Sequence, residues 1–189
     1  MNDKRRPVRS LLLACMVVAA ALGSAIPRPA VAASAAELTR DSAAELRKLY
    51  ARQASAKVLG QKAKGILVFP AILKAGFMFG GQVGEGALWK NGRVAGYYNS
   101  VAASYGFQAG IQKFGYALFF MTDAALEQLN ATHGFELGVG PSVVIVDEGM
   151  GKSITSNTIT SDVYAFIFDQ KGLMAGVGIQ GSKITRIDK

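Results

Sequence analysis

The sequence predicts an α+β fold: a strongly curved antiparallel β-sheet or barrel-like domain with N-terminal helices packed on it. Three observations carry this. Of 22 glycines, 20 fall in residues 65–189, with 16 of the 17 aromatics. Residues 33–64 hold one glycine and one aromatic and are rich in Ala, Leu, Lys and Arg, which are good helix formers. Glycines also recur at period two (Gly84 and Gly86, Gly138 and Gly140, Gly176 and Gly178), so each pair shares one sheet face. A face without side chains permits strong curvature or close approach of another element. With 50% hydrophobic and 18% charged residues, the 189-residue chain can bury a core, which excludes a mostly disordered polypeptide.

Residues 1–32 read as a secretory signal peptide, a segment to exclude from the fold. Lys4, Arg5, Arg6 and Arg9 form its positive start, Leu11 to Ile26 its apolar run, and Ala30-Val31-Ala32 an A-x-A cleavage site. The run is short for a membrane span, although the sequence leaves open whether the segment is retained as an anchor. Cys15 follows Leu12-Leu13-Ala14, faintly like a lipoprotein box. Cutting there would leave more than ten apolar residues on the product, so Cys15 is read as part of the signal. Removal of residues 1–32 leaves 21−5 = 16 basic and 13−1 = 12 acidic residues, a net +4, and no cysteine.

Residues 33–64 form the predicted helical segment. Ser34-Ala35-Ala36-Glu37 fits a capping box, Ser42-Ala43-Ala44-Glu45 offers a second start, and a shorter helix follows from Ser55 to Lys64. Residues 65–189 form the glycine-rich β domain. Gly65 to Pro70 is an apolar strand that proline should stop. Phe77 to Lys90 alternates, with Phe77, Phe79, Val83, Ala87 and Trp89 on one face. Asn91-Gly92 marks a hairpin into Arg93 to Gln108. Lys113 to Met121 is a strand. Thr122 should then cap a short helix bearing Leu126 and Leu129. Strands over Phe135 to Val146, Asp162 to Asp169 and Leu173 to Ile187 complete the set. Asp169 to Gly172 is a turn, and Gly149 to Thr160 is a polar loop.

Catalytic signals are thin. One histidine and one cysteine exclude a histidine-rich or thiolate metal site. Gly176-Val177-Gly178-Ile179-Gln180-Gly181 has dinucleotide-fingerprint spacing but lies within a strand, without the helix that would face a pyrophosphate. Gly151-Lys152-Ser153 resembles the end of a phosphate loop, yet Val146 stands where its first glycine belongs. His133 lies in a turn with no nucleophile elbow in the chain, and Asp147-Glu148 point to opposite sides of an extended backbone. No cofactor, metal or catalytic residue is assigned, and the chain is read as a non-enzyme.

Basic residues are the stronger signal. From Arg40 to Lys74 there are eight (Arg40, Arg47, Lys48, Arg52, Lys57, Lys62, Lys64 and Lys74) against Asp41 and Glu45, a local net of +6. Such a segment can adsorb to anionic membrane or be the solvated face of docked helices. Nucleic acid fits poorly because no stacking aromatics are interleaved with the cations.

From about Ala54 to Ile187 the chain resembles the SYLF domain family. The resemblance rests on Ala63-Lys64-Gly65-Ile66-Leu67-Val68-Phe69-Pro70, Lys74-Ala75-Gly76-Phe77-Met78-Phe79-Gly80-Gly81 and Gly84-Glu85-Gly86-Ala87-Leu88. It continues in Tyr105-Gly106-Phe107-Gln108-Ala109-Gly110, Gly138-Val139-Gly140-Pro141 and Lys171-Gly172-Leu173-Met174-Ala175-Gly176-Val177. It implies an α+β module without enzymatic activity that binds phospholipid head groups, phosphoinositides in particular, through basic residues and an N-terminal helical segment. Eukaryotic relatives contact actin machinery through added modules. For an exported bacterial chain, anionic phospholipid in general is the safer expectation.

The function expected from sequence is peripheral binding of anionic phospholipid or a membrane surface in the periplasm, or after secretion. Arg47, Lys48, Arg52, Lys57, Lys62, Lys64 and Lys74 would contact phosphates. The alternative is an envelope scaffold or stress-related protein that binds another protein, favoured by an exposed apolar patch without a basic rim.

Overall fold

The computed structural model describes residues 32–77, 79–105, 110–131, 134–138, 142–146, 154, 158–172, 179 and 181–189. The expected signal segment lies outside them except for Ala32. So do His133, Asp147, Glu148, Gly151 to Ser153 and most of Gly176 to Gly181.

Helix α1 spans Ala35–Arg52 and begins at the expected capping box. Ser34 Oγ accepts from the Glu37 N–H at 3.2 Å, and Glu37 Oε2 accepts from the Ser34 N–H at 2.9 Å. Ser42 is not a second start but a buried mid-helix residue. Its hydroxyl donates to the Thr39 carbonyl and accepts from Trp89 Nε1 at 3.1 Å. Gln53 is extended and separates α1 from α2, Ala54–Lys62.

Strand β1, Gly65–Phe77, runs straight through Pro70 rather than stopping there. The register slips on both flanks, between Val68 and Ala71 against β2 and between Phe69 and Ile72 against β4. Proline lacks an N–H, and a bulge is where a ladder can do without one. Strand β2, Phe79–Lys90, turns at Asn91-Gly92, both at positive φ, into β3, Arg93–Tyr105. Strand β4, Gly110–Phe120, leads to α3, Asp123–Gln128, where Thr122 Oγ1 accepts from the Ala125 N–H at 3.2 Å.

The expected strand over Phe135 to Val146 is instead two short ones, β5 (Phe135–Glu136) and β6 (Val143–Ile145). Strand β7 spans Val163–Gly172 and passes through the expected turn, with Asp169 at φ 51. Strand β8 spans Lys183–Ile187.

The eight strands form one strongly curled sheet in the order β5-β8-β3-β2-β1-β4-β7-β6, with the helices α1 and α2 packed on it. Seven described pairs hold it, six antiparallel; β6 lies parallel to β7. The sheet is therefore mixed rather than antiparallel. The connection from Val146 to Asp162 is long enough to return the chain to the end where β6 began, which a parallel neighbour requires.

Both faces are buried over the middle of the sheet. On one, Leu49, Ala56 and Leu59 of α1 and α2 pack on Ile66, Val68, Ala117, Phe119, Tyr164 and Phe166. On the other, Leu126 and Leu129 pack among Leu67, Phe69, Ile72, Leu88, Tyr116, Leu118 and Phe120. The period-two glycines of β2 serve close approach. A Cβ on Gly84 would lie 2.4 Å from the Ala71 carbonyl oxygen, and one on Gly86 2.6 Å from that of Val68. Both carbonyls flank the Pro70 bulge, which brings this stretch of β1 against a strand face without side chains.

Candidate functional site

The seven predicted cations divide among several surroundings. On α1, Arg47 is exposed, Lys48 donates to Glu45 at 2.7 Å, and Arg52 donates to Asp169 of β7 at 2.8 Å. On α2, Lys57 and Lys62 are exposed. Lys64, between α2 and β1, lies 3.5 Å from Asp123 of α3. Lys74 is only 7% exposed and lies on the sheet face opposite α1 and α2, because it follows Ile72 by two residues with no further register slip.

The structure thus brings Lys48 and Arg52 together and sends Lys74 to another layer. Lys48 and Arg52 line an open cleft of about 450 Å³ between α1, the start of α2 and β7. Leu49, Ile167 and Phe168 give it apolar walls, while Glu45 and Asp169 add carboxylates. Ala54 and Ser55 bring the first turn of α2 to the same cleft, and Gln53 supplies no side-chain cap to its free N–H groups. Hydrogen bonding from Arg52 holds the Asp169 carboxyl below its ordinary range, and the bond to Glu45 raises Lys48. An incoming phosphate has to draw Lys48 and Arg52 from these carboxylates.

Sequence reasoning missed the surroundings of Lys74. The register sets it directly between Gln82 of β2 and Gln112 of β4, which are 4% and 3% exposed. Gln82 Nε2 donates to the buried Ser182 hydroxyl at 2.7 Å, whereas Gln112 Oε1 has no hydrogen-bond partner among the described residues. One layer deeper, the Tyr116 hydroxyl donates to Ser100 at 2.7 Å, and burial pushes its pKa up. Alternation counted from Ile66 would put Lys74 on the side of α1 and α2. The bulge at Pro70 moves it across, and a strand that ends at Pro70 gives no hint of this.

Among the described residues, no three His, Cys, Asp or Glu side chains come together as a metal site would need. No helix among them is long and apolar enough to cross a membrane.

Residues 101–189 match the family described as "Ysc84: Las17-binding protein actin regulator". The match begins within β3 and runs to the C-terminus. No curated protein matches the chain.

Proposed function

We propose, for a chain whose residues 101–189 match that family model and whose sequence resembles the SYLF family, that it is a non-enzymatic module binding anionic phospholipid at a membrane surface of the bacterial periplasm. The SYLF family is associated with lipid binding and with actin regulation. The apparent export signal in residues 1–32 favours lipid over actin machinery for this chain.

The observation that carries the reading is the cleft between α1, α2 and β7. Two cations there stand beside apolar walls in a volume of about 450 Å³. That combination suits a group with a charged phosphate and an apolar attachment. Exposed Arg47 and Lys57 extend positive charge along the two helices. Each cation well placed near an anionic surface contributes about 1 kcal/mol, screened within roughly one Debye length.

Co-sedimentation with vesicles tests the reading. The protein should pellet with equimolar phosphatidylglycerol and phosphatidylcholine and stay in solution with pure phosphatidylcholine. Charge reversal at Arg47 and Lys57 together should weaken binding by about tenfold or more, since two charge reversals near the surface alter it by at least ~1.4 kcal/mol. Equal binding to both vesicles, or no loss after charge reversal of Lys57, Lys62 and Lys64, would reject it.

A further inference from the structure

Three of the five large apolar side chains exposed among the described residues are in register with one another. Leu73 of β1, Val83 of β2 and Val101 of β3 are 50%, 53% and 47% exposed. Leu73 is directly opposite Val83, and Val83 directly opposite Val101. Directly paired residues share a sheet face, so the three form one row. On the β4 side, Leu73 is opposite Lys113 and Lys113 opposite Lys171 of β7. On the β8 side, Val101 is opposite Lys183. On the last strand, β5, Glu136 is opposite Lys183. The row therefore reads Lys171, Lys113, Leu73, Val83, Val101, Lys183, Glu136 across seven neighbouring strands, and all seven are exposed.

The next row at the same parity is Ile111, Ala75, Gly81 and Ala103, also exposed, with Ile111 at 67%. Among the described residues of these two rows the one acid is Glu136, at the β5 rim, so the first row carries three lysines against one glutamate. Moving the other way along β2, the first acid is Glu85, which is paired with Lys189 at 2.9 Å. This is the face on which α1 and α2 lie: Val83 shares parity with buried Ala87, which is directly opposite Val68 of the helix-covered cluster, and Tyr97 of β3 hydrogen-bonds Thr39 of α1. Beyond the helices, Leu73, Val83 and Val101 of this face are exposed.

We propose that this exposed part of the face is the surface laid on the membrane, with the aliphatic row set into the head-group boundary of an anionic bilayer and the flanking lysines on lipid phosphates. The inference rests on the lipid-binding reading above and moves the contact from the helical cleft to the sheet. Charge selects the occupant. The row is net positive, and a purely apolar protein partner would leave Lys113, Lys171 and Lys183 facing it. A phosphate-bearing surface over an apolar layer meets both the aliphatic side chains and the three lysines.

The test uses the full chain and the same two vesicle compositions. Val83→Ser with Val101→Ser, and separately Lys113→Gln with Lys183→Gln, should each lower partitioning into phosphatidylglycerol vesicles at least about tenfold, while thermal unfolding stays as in the parent because all four side chains are exposed. An environment-sensitive dye on Val83→Cys, in a Cys15→Ser background, should shift to the blue on those vesicles and stay unshifted on neutral ones. If the parent binds and both double variants bind equally well, with no dye shift, the sheet face is not the contact and the helical reading stands alone. If the parent binds neither vesicle, both readings fall. A parent dimer in sedimentation velocity that Val83→Ser with Val101→Ser dissociates, without loss of vesicle binding, would assign the face to a second copy and overturn the proposal.

Discussion

Gly84 and Gly81 are three residues apart on one strand and differ in what a methyl group would meet. At Gly84 it would lie 2.4 Å from the Ala71 carbonyl oxygen, a backbone atom that cannot swing aside; at Gly81 the nearest atom is 3.6 Å away. Gly84→Ala should therefore destabilise by about 1–3 kcal/mol in urea unfolding, and Gly81→Ala should stay within about 0.5 kcal/mol. Asp169 makes a second residue-scale case. Arg52 depresses its folded pKa, so its stabilising contribution is present above the unfolded carboxyl value and is lost as pH falls through the folded one. With Arg52 63% and Asp169 33% exposed, the pair contributes less than about 1 kcal/mol. Asp169→Asn tolerates the positive φ of that position. It should be less stable than the parent near pH 7, and the gap should narrow below about pH 4, which denaturant titrations at the two pH values would show.

Among the elements, α1 follows most directly from its sequence. Its reciprocal cap at Ser34 and Glu37 satisfies two N-terminal donors, so Ser34→Ala should cost about 0.5–2 kcal/mol, measurable as a lowered urea midpoint with unchanged slope. The Asn91-Gly92 hairpin and the Thr122 cap were equally legible, because each depends on side chains within a few residues. What sequence reading lost depends on distant partners. Pro70 reads as a stop until β2 and β4 are seen to slip register around it on both sides. Phe135 to Val146 reads as one strand, yet β5 pairs with β8 and β6 with β7, at opposite rims of the sheet. For the candidate site, the basic residues were visible in sequence, but their carboxylate partners were not: Arg52 meets Asp169 across 117 positions. The exposed row was hidden for the same reason, since Leu73, Val83, Val101 and Lys113 become neighbours only through register.

At the level of the whole molecule, a sheet with two buried faces needs covers on both. Deleting residues 33–64 would strip Leu49, Ala56 and Leu59 from Ile66, Val68, Phe119 and Phe166. The shortened protein should bind a hydrophobic dye strongly and lose a sharp thermal transition, while the parent does neither. The two rims of the sheet have a different consequence. They end in strands of two and three residues, β5 and β6, so few backbone donors and acceptors are on offer to an approaching chain. Molecules crowded side by side on a lipid surface would then have little template for strand-on-strand growth, and a dense protein coat could form without nucleating fibrils.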